Sequence, residues 1–321
     1  GISLANLFEI APESEAAGHK PDLLVVFGGN NHSETPEDCF YYDEENKMMV
    51  GLLSHHDCYD YFGYMKKMIL TLHNVCQISR GYLPIHGAMV NIVLKDGKSA
   101  NVCIMGDSGA GKSESIEAFR ALAEEHISDM VVVFDDMGTF RIDPETGEVK
   151  GYGTEVGAFV RLDDLDSGYA FQELDRSIFM NPDKVNARLI TPVSTYEEIM
   201  SGHTVDIFVY ANNYDALEED EPAITLFKNK EEALPTFVEG KRMAKGTTSE
   251  KGYTTSYFAN PFGPVQKQLE TDVLIDRYFT KLFENGVKVG VMRTQLGVGN
   301  MEKDGPRRAA IDLFELIKKL D

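Results

Sequence analysis

The chain has 321 residues, 43% of them hydrophobic, enough to bury a sizeable core in one large domain or two modest ones. Its 52 acidic residues against 31 basic ones give a formal charge of −21, so repulsion opposes general binding to nucleic acid or to an anionic membrane. No apolar run approaches the length of a bilayer span, and no basic region followed by an apolar core opens the chain. The first residue is not Met, which reads as a processed or trimmed chain. Cys39, Cys58, Cys76 and Cys103 show no C-x-x-C spacing, which predicts reduced thiols and a cytoplasmic protein.

In chain order, residues 1–22 are polar with little pattern beyond an apolar run at Ile2–Ile10. Leu23–Phe27 predicts a buried strand that ends at Gly28-Gly29-Asn30-Asn31, which fits either a plain turn or a close approach to a ligand. An acidic loop (Glu34–Glu45) and a strand (Lys47–Leu53) follow. Asp60–Ile78 carries the stripe Phe62, Met65, Ile69, Leu72 of an amphipathic helix. Pro84–Leu94 and Ser99–Met105 read as a hairpin around Lys95-Asp96-Gly97. Glu114–His126 has helical periodicity, and Asp129–Phe134 is a short apolar strand ending at Asp135-Asp136. A β-rich stretch runs to about Ile190, followed by a strand at Val205–Tyr210 and a helix at Lys228–Glu239 with an expected break at Pro235. Gly246–Ser256 reads as a linker or a mobile active-site loop. Leu269–Asn285 predicts a helix, Val287–Met292 a strand, and Pro306–Leu320 a helix with Pro306 in its first turn. This alternation predicts an α/β fold with a mixed β-sheet and flanking helices, without internal repeats.

The most specific feature is Gly106-Asp107-Ser108-Gly109-Ala110-Gly111-Lys112-Ser113, which matches the phosphate-binding pattern G-x-x-x-x-G-K-[ST] at every required position. A strand precedes it and a helix follows it, the context the pattern requires. The glycines let backbone N–H groups turn toward phosphates, and the helix N-terminus adds partial positive charge. Lys112 is expected between the β- and γ-phosphates and the Ser113 hydroxyl on Mg²⁺. A strand ending in Asp135-Asp136 supplies carboxylates for that metal, one of them as a ligand and one behind it or as a base; a solvated turn is the plainer alternative.

With these motifs in view, the chain resembles the ATP-dependent phosphoenolpyruvate carboxykinase family. Tyr61-Phe62-Gly63-Tyr64-Met65-Lys66-Lys67 is similar to that family's Y-x-G-E-M-K-K, and Leu83-Pro84-Ile85-His86 to its L-P-M-H. Asn186-Ala187-Arg188 with Pro192, Thr154–Phe159, Ala244–Thr247, Tyr257–Gly263 and Arg308–Asp312 follow the family's further segments in order. The resemblance implies a divergent N-terminal segment (1–59) and a nucleotide- and metal-binding catalytic domain (60–321) with a mixed-sheet P-loop core. It implies a Mn²⁺ held by Lys67, His86 and Asp136, although Lys ligates a metal only as the neutral amine. Lys66 would hold the anionic substrate, Arg188 the transferred phosphoryl group and Arg308 the nucleotide. Tyr61 either contacts substrate or is a core-edge aromatic.

The chain also departs from that family. Residues 1–60 contain no Arg, although the family grips phosphoenolpyruvate with one there; Tyr64 stands in place of the motif's Glu; and the chain has no Trp. The run Gly106-Asp107-Ser108 through Ser113-Glu114 is closer to bacterial HPr kinase, a relative that phosphorylates a protein serine. The expectation is an ATP/ADP-, Mg²⁺- and Mn²⁺-dependent phosphoryl-transfer enzyme, in the first place a carboxykinase acting on a small anionic substrate. The alternatives are a kinase of a small-molecule or protein hydroxyl, with Asp135 or Asp136 as base, and a non-catalytic nucleotide-binding module.

Overall fold

The computed structural model describes residues 1–29, 37–59, 61–161, 178–180, 187–244 and 252–320. The chain opens with two short helices, α1 (Ile2–Leu7) and α2 (Glu13–Ala16), in the stretch whose sequence shows little pattern. Strands β1 (Leu23–Gly29), β2 (Asp38–Asp43) and β3 (Met48–Ser54) form a small sheet in the order β1-β3-β2. β1 runs parallel to β3 and β2 antiparallel to it. The expectation of a buried strand at Leu23–Phe27 is corrected here. The strand forms, but Leu24 and Val26 are exposed, because only one face of this sheet is covered, and Phe27 near the strand's end is exposed as well.

The covering element is α3 (Phe62–Ser79), whose Met68, Leu72 and Val75 pack on Met49 and Leu53 of β3. The same helix turns Lys66, Leu70, Asn74 and Gln77 inward along a second buried stripe at i, i+4, i+8 and i+11. The long strands β4 (Leu83–Leu94), β5 (Ser99–Met105) and β6 (Ile127–Ile142) come next, with α4 (Lys112–Ala121) and α5 (Ala123–His126) between the last two. The single helix expected over Glu114–His126 is thus broken at Leu122. Strand β6 does not end at the aspartate pair; it continues six residues further, paired with β4 as far as Phe140 and with β7 to its end.

After β7 (Val149–Gly153), strands β8 (Gly157–Arg161), β9 (Ile178–Met180) and β10 (Arg188–Pro192) pair antiparallel in the order β8-β10-β9. The remaining elements are α6 (Tyr196–Met200), β11 (His203–Thr204), β12 (Ile207–Asn212), β13 (Ile224–Leu226), α7 (Lys230–Glu239), β14 (Lys241–Met243), β15 (Tyr253–Thr255), α8 (Gln268–Glu284), β16 (Lys288–Arg293) and α9 (Asp304–Lys318). α7 carries Pro235 within a continuous helix, so the expected break does not occur. Tertiary packing of Ala233 and Phe237 offsets the missing N–H.

The main sheet is mixed, eight strands among the described residues in the order β11-β7-β6-β4-β5-β12-β16-β13. Alternation along β12 divides the core: Phe208 joins Phe237, Tyr278 and Phe279 of α7 and α8 on one face, and Val209 joins Phe119 of α4 and Phe314 of α9 on the other. β5, β12 and β16 are mutually parallel, and β6 runs in the same direction because β4 is antiparallel to both β5 and β6. Gly106, Asn213 and Thr294 therefore emerge from one edge of the sheet. Asp135 and Asp136 lie level with them, since Gly87 of β4 pairs with both Met105 and Asp136. Ligands of open α/β sheets bind outside such carboxyl ends. Among the described residues, no helix is long and apolar enough to cross a membrane.

Candidate active site

The loop between β5 and α4 is built for close packing. Gly109 (φ 78°) and Gly111 (φ 110°) adopt left-handed backbone that side chains rarely take. A Cβ on Gly111 would also lie 2.6 Å from Thr294 Oγ1. Neighbouring side chains tie the loop's carbonyls back. Thr294 Oγ1 donates to Ala110 O (2.9 Å), Asn213 Nδ2 to Gly109 O (2.9 Å) and Ser115 Oγ to Gly111 O (2.6 Å). The N-terminal N–H groups of α4 have no partner within their own helix, which leaves them available to an anion. Lys112 is buried and folds over the loop, Nζ donating to Gly106 O at 2.7 Å and Asp107 O at 3.2 Å. Ser113 Oγ donates to Asp135 Oδ1 at 3.3 Å.

Beside this loop lies a second cluster. Asp136 has φ 103°, a strained conformation for a non-glycine residue, of the kind that concentrates at functional sites. Its Oδ2 accepts from Lys66 Nζ at 2.7 Å, and its Oδ1 is 3.1 Å from His86 Nε2. Burial would raise Asp136, but Lys66 and His86 outweigh it and hold the carboxyl well below the usual carboxylate range. Burial raises Asp135, and the Asp136 charge adds to that against Lys112 and Ser113. Lys66 also pairs with Glu155 Oε1 at 3.0 Å. Burial opposes the Lys66 charge, but Asp136 and Glu155 reverse the direction and keep the amine protonated. Burial pushes Glu155 up to about 8 despite Lys66, with Asp136 adding to the rise.

His86 is 1% exposed and is oriented through its other nitrogen: Nδ1 donates to Ala259 O at 2.8 Å. That carbonyl is presented by two consecutive residues at positive φ, Phe258 (51°) and Ala259 (44°). The opposite nitrogen, Nε2, faces the Asp136 carboxylate. Asp107 extends the network, accepting from Arg242 Nε at 3.2 Å and from its neighbour Ser108 N at 2.7 Å, 3.5 Å from His86 Nδ1.

The structure brings Lys66, His86, Asp107, Lys112, Ser113, Asp135 and Asp136 to one edge of the sheet. It does not bring Lys67 there. Lys67 is exposed with its amine 5.6 Å from the Tyr64 ring, and Lys66 occupies the place beside His86 and Asp136 that the resemblance assigns to Lys67. The two lysines are successive helical residues about 100° apart, so only one can face inward. Tyr61 packs 6.2 Å from the Phe159 ring, which also lies 5.5 Å from Lys66 Nζ and 5.4 Å from the Arg188 guanidinium. Arg188 is therefore a neighbour of the cluster across that ring. Arg308 lies elsewhere, its Nη2 donating to the carbonyls of Glu218 (2.9 Å), Glu219 (2.7 Å) and Glu221. Asn186 and the segment 245–251 fall outside the described residues. Sequence reasoning missed Glu155, Arg242, Asn213, Thr294 and the Ala259 carbonyl. Glu155 and Ala259 lie within segments similar to the family's, but nothing local marks the other three.

The residues fit Mg²⁺ better than they fit the expected Mn²⁺ set. A hydroxyl joined to a carboxylate at the start of α4 suits a cation that takes most of its ligands from phosphates and water. Among the described residues, no group of three or more His, Cys, Asp and Glu could hold a metal, and the lysine beside His86 and Asp136 is a protonated ion-pair partner. The set Lys67, His86 and Asp136 does not assemble. No family model matches this chain, and no curated protein sequence matches it.

Proposed function

We propose that the chain transfers the γ-phosphoryl group of ATP in a Mg²⁺-dependent reaction, and that the reaction is carboxykinase-like, converting oxaloacetate and ATP to phosphoenolpyruvate, ADP and CO₂. The observation that carries this reading is the contact of Ser113 Oγ with Asp135 Oδ1, beside a Lys112 amine resting on the loop carbonyls it would leave for phosphate. Ser113 and Asp135 would hold the Mg²⁺, which would supply neutralisation of the phosphate charge. Lys112 would follow the γ-phosphoryl group, and the N–H groups at the start of α4 would hold the phosphate oxygens.

Lys66 supports the carboxykinase form. Its buried amine is paired with Asp136 and Glu155, and it would supply the positive charge that a dicarboxylate needs as it loses CO₂. In that step the bond to the leaving carboxylate breaks and its electron pair forms an enolate. The enolate oxygen then attacks the γ-phosphorus as the bond to ADP breaks. Arg188, across Phe159, would meet the phosphoryl oxygens. A second reading, a hydroxyl kinase, is favoured by Asp135. Raised by burial and by Asp136, it is a better proton acceptor than an ordinary aspartate, and residues 1–79 contain no Arg to grip a carboxylate.

The test is oxaloacetate formation from phosphoenolpyruvate, bicarbonate and ADP with Mg²⁺, with and without Mn²⁺, read as NADH oxidation through malate dehydrogenase. Activity that His86→Ala abolishes supports the carboxykinase. A protein that binds ATP and forms no oxaloacetate overturns it and moves the search to hydroxyl acceptors.

A further inference from the structure

The glycine-rich loop contains a carboxylate of its own. Asp107, its second residue, is 7% exposed in a chain whose formal charge is already −21. A buried negative charge beside the start of α4 would repel the phosphates that Lys112 and the helix N–H groups would attract. The structure engages both oxygens of that carboxylate. Oδ1 accepts from Ser108 N at 2.7 Å, and Oδ2 accepts from Arg242 Nε at 3.2 Å. Arg242 is 5% exposed, so the two charges meet where water screens them little. His86 Nδ1 lies 3.5 Å from Asp107 Oδ1, farther than the 2.8 Å that separates it from Ala259 O.

Arg242 is aimed at the loop by its two neighbours on β14. The Tyr210 hydroxyl of β12 donates to Lys241 O at 2.8 Å. Asn213, just after β12, accepts from Met243 N through Oδ1 (2.8 Å) and donates to Met243 O through Nδ2 (2.9 Å). The same Nδ2 donates to Gly109 O of the loop at 2.9 Å. One fully buried amide thus ties β14 to the loop and fixes the reach from Arg242 to Asp107. Alternation along the strand buries Arg242 and leaves Lys241 and Met243 partly exposed. Lys241 turns instead to the rings of Tyr214 and Tyr253, 4.7 Å from each. Without Arg242, the Asp107 carboxylate would compete with phosphate for the Lys112 amine, which already lies 3.2 Å from Asp107 O.

We propose that Arg242 is a positioning residue for nucleotide binding: by pairing with Asp107 it holds that carboxylate back from the phosphates and leaves the Lys112 amine to them. The inference rests on the phosphoryl-transfer reading and adds a requirement of charge to it. Calorimetric titration of the full chain with ATP and Mg²⁺ tests it, comparing wild type, Arg242→Met, Asp107→Asn and the double variant. Arg242→Met leaves the Asp107 charge uncompensated and is expected to weaken binding at least about tenfold. Asp107→Asn keeps an acceptor oxygen for Ser108 N and leaves Arg242 as surplus positive charge, so it should bind ATP at least about threefold tighter. The double variant should return to within about threefold of wild type, because neither charge remains. A bracing role alone would weaken binding in both single variants and bring the double variant no nearer to wild type. That pattern overturns the inference, as does unchanged affinity in Arg242→Met. Should Arg242→Met fail to fold, Asp107→Asn decides alone: tighter binding supports the inference, and weaker or unchanged binding overturns it. A wild-type chain that does not bind ATP overturns the phosphoryl-transfer reading itself, and this inference with it.

Discussion

Lys66 Nζ and Asp136 Oδ2 lie 2.7 Å apart although 70 residues separate them in the chain. The pair joins α3 to β6 at the level of the glycine-rich loop. Glu155 on the other side of the amine completes a cluster of two carboxyl groups around one buried ammonium, Asp136 carrying the charge and Glu155 pushed up to about 8 by burial. Such a group is maintained by its mutual attraction, and removing the shared cation leaves two acids without compensation.

Lys66→Met is therefore expected to lower stability by about 3 to 5 kcal/mol. Lys67→Met, on the exposed side of the same helix, should change it by less than about 0.5 kcal/mol. Urea unfolding of the two variants measures the difference. Equal effects would mean that the inward lysine is misassigned.

On the proposed function, Lys112→Ala should weaken ATP binding by at least about tenfold, because the amine would make charge-assisted hydrogen bonds to phosphate that no other group replaces. Fluorescence titration with a labelled nucleotide reads this. Unchanged affinity would remove the glycine-rich loop from consideration as the nucleotide site.

On the proposed function, Ser113→Ala and Asp135→Asn should each abolish the enhancement of ATP binding by Mg²⁺ while leaving metal-free binding within about threefold, since both would act through the cation. The comparison is a titration in Mg²⁺ against one in EDTA. Enhancement that survives in both variants would place the metal elsewhere.

His73 gives the protein a pH dependence of known sign. Its folded value of about 4 lies below the ordinary value of 6.5, so the unfolded chain binds the extra proton first. The stability associated with the neutral ring is fully present above pH 6.5 and lost as pH falls toward 4, by roughly 3 kcal/mol over that window. His73→Gln should flatten this part of the profile in denaturant unfolding between pH 4 and 7. A variant whose profile parallels the wild type would show that His73 does not titrate this way.

Much of the local structure was legible from sequence. The hairpin around Lys95-Asp96-Gly97 and the strand–loop–helix unit around Gly106–Ser113 form as their patterns indicate, because turn chemistry and short-range periodicity decide them. The extent of β6 past Asp136 was not legible. Its partner is the full length of β4, and pairing overrode the turn preference of two aspartates. The exposure of Leu24 and Val26 also escaped the pattern, since an apolar run does not say how many faces of its sheet are covered.

The sequence by itself determined the candidate phosphate loop, the nearby aspartate pair, the mixed α/β class and the strongly acidic balance, all of which reside in neighbouring residues or in composition. Tertiary structure decided which of two adjacent lysines faces Asp136. The rotation of α3 is set by Met68, Leu72 and Val75 against the small sheet, and one residue of helix turns a side chain by about 100°. It also decided that the Ala259 carbonyl orients His86 and that Thr294 and Asn213 brace the loop. Those contacts join residues 104 to 184 positions apart, and no local periodicity encodes a hydrogen bond across such a distance.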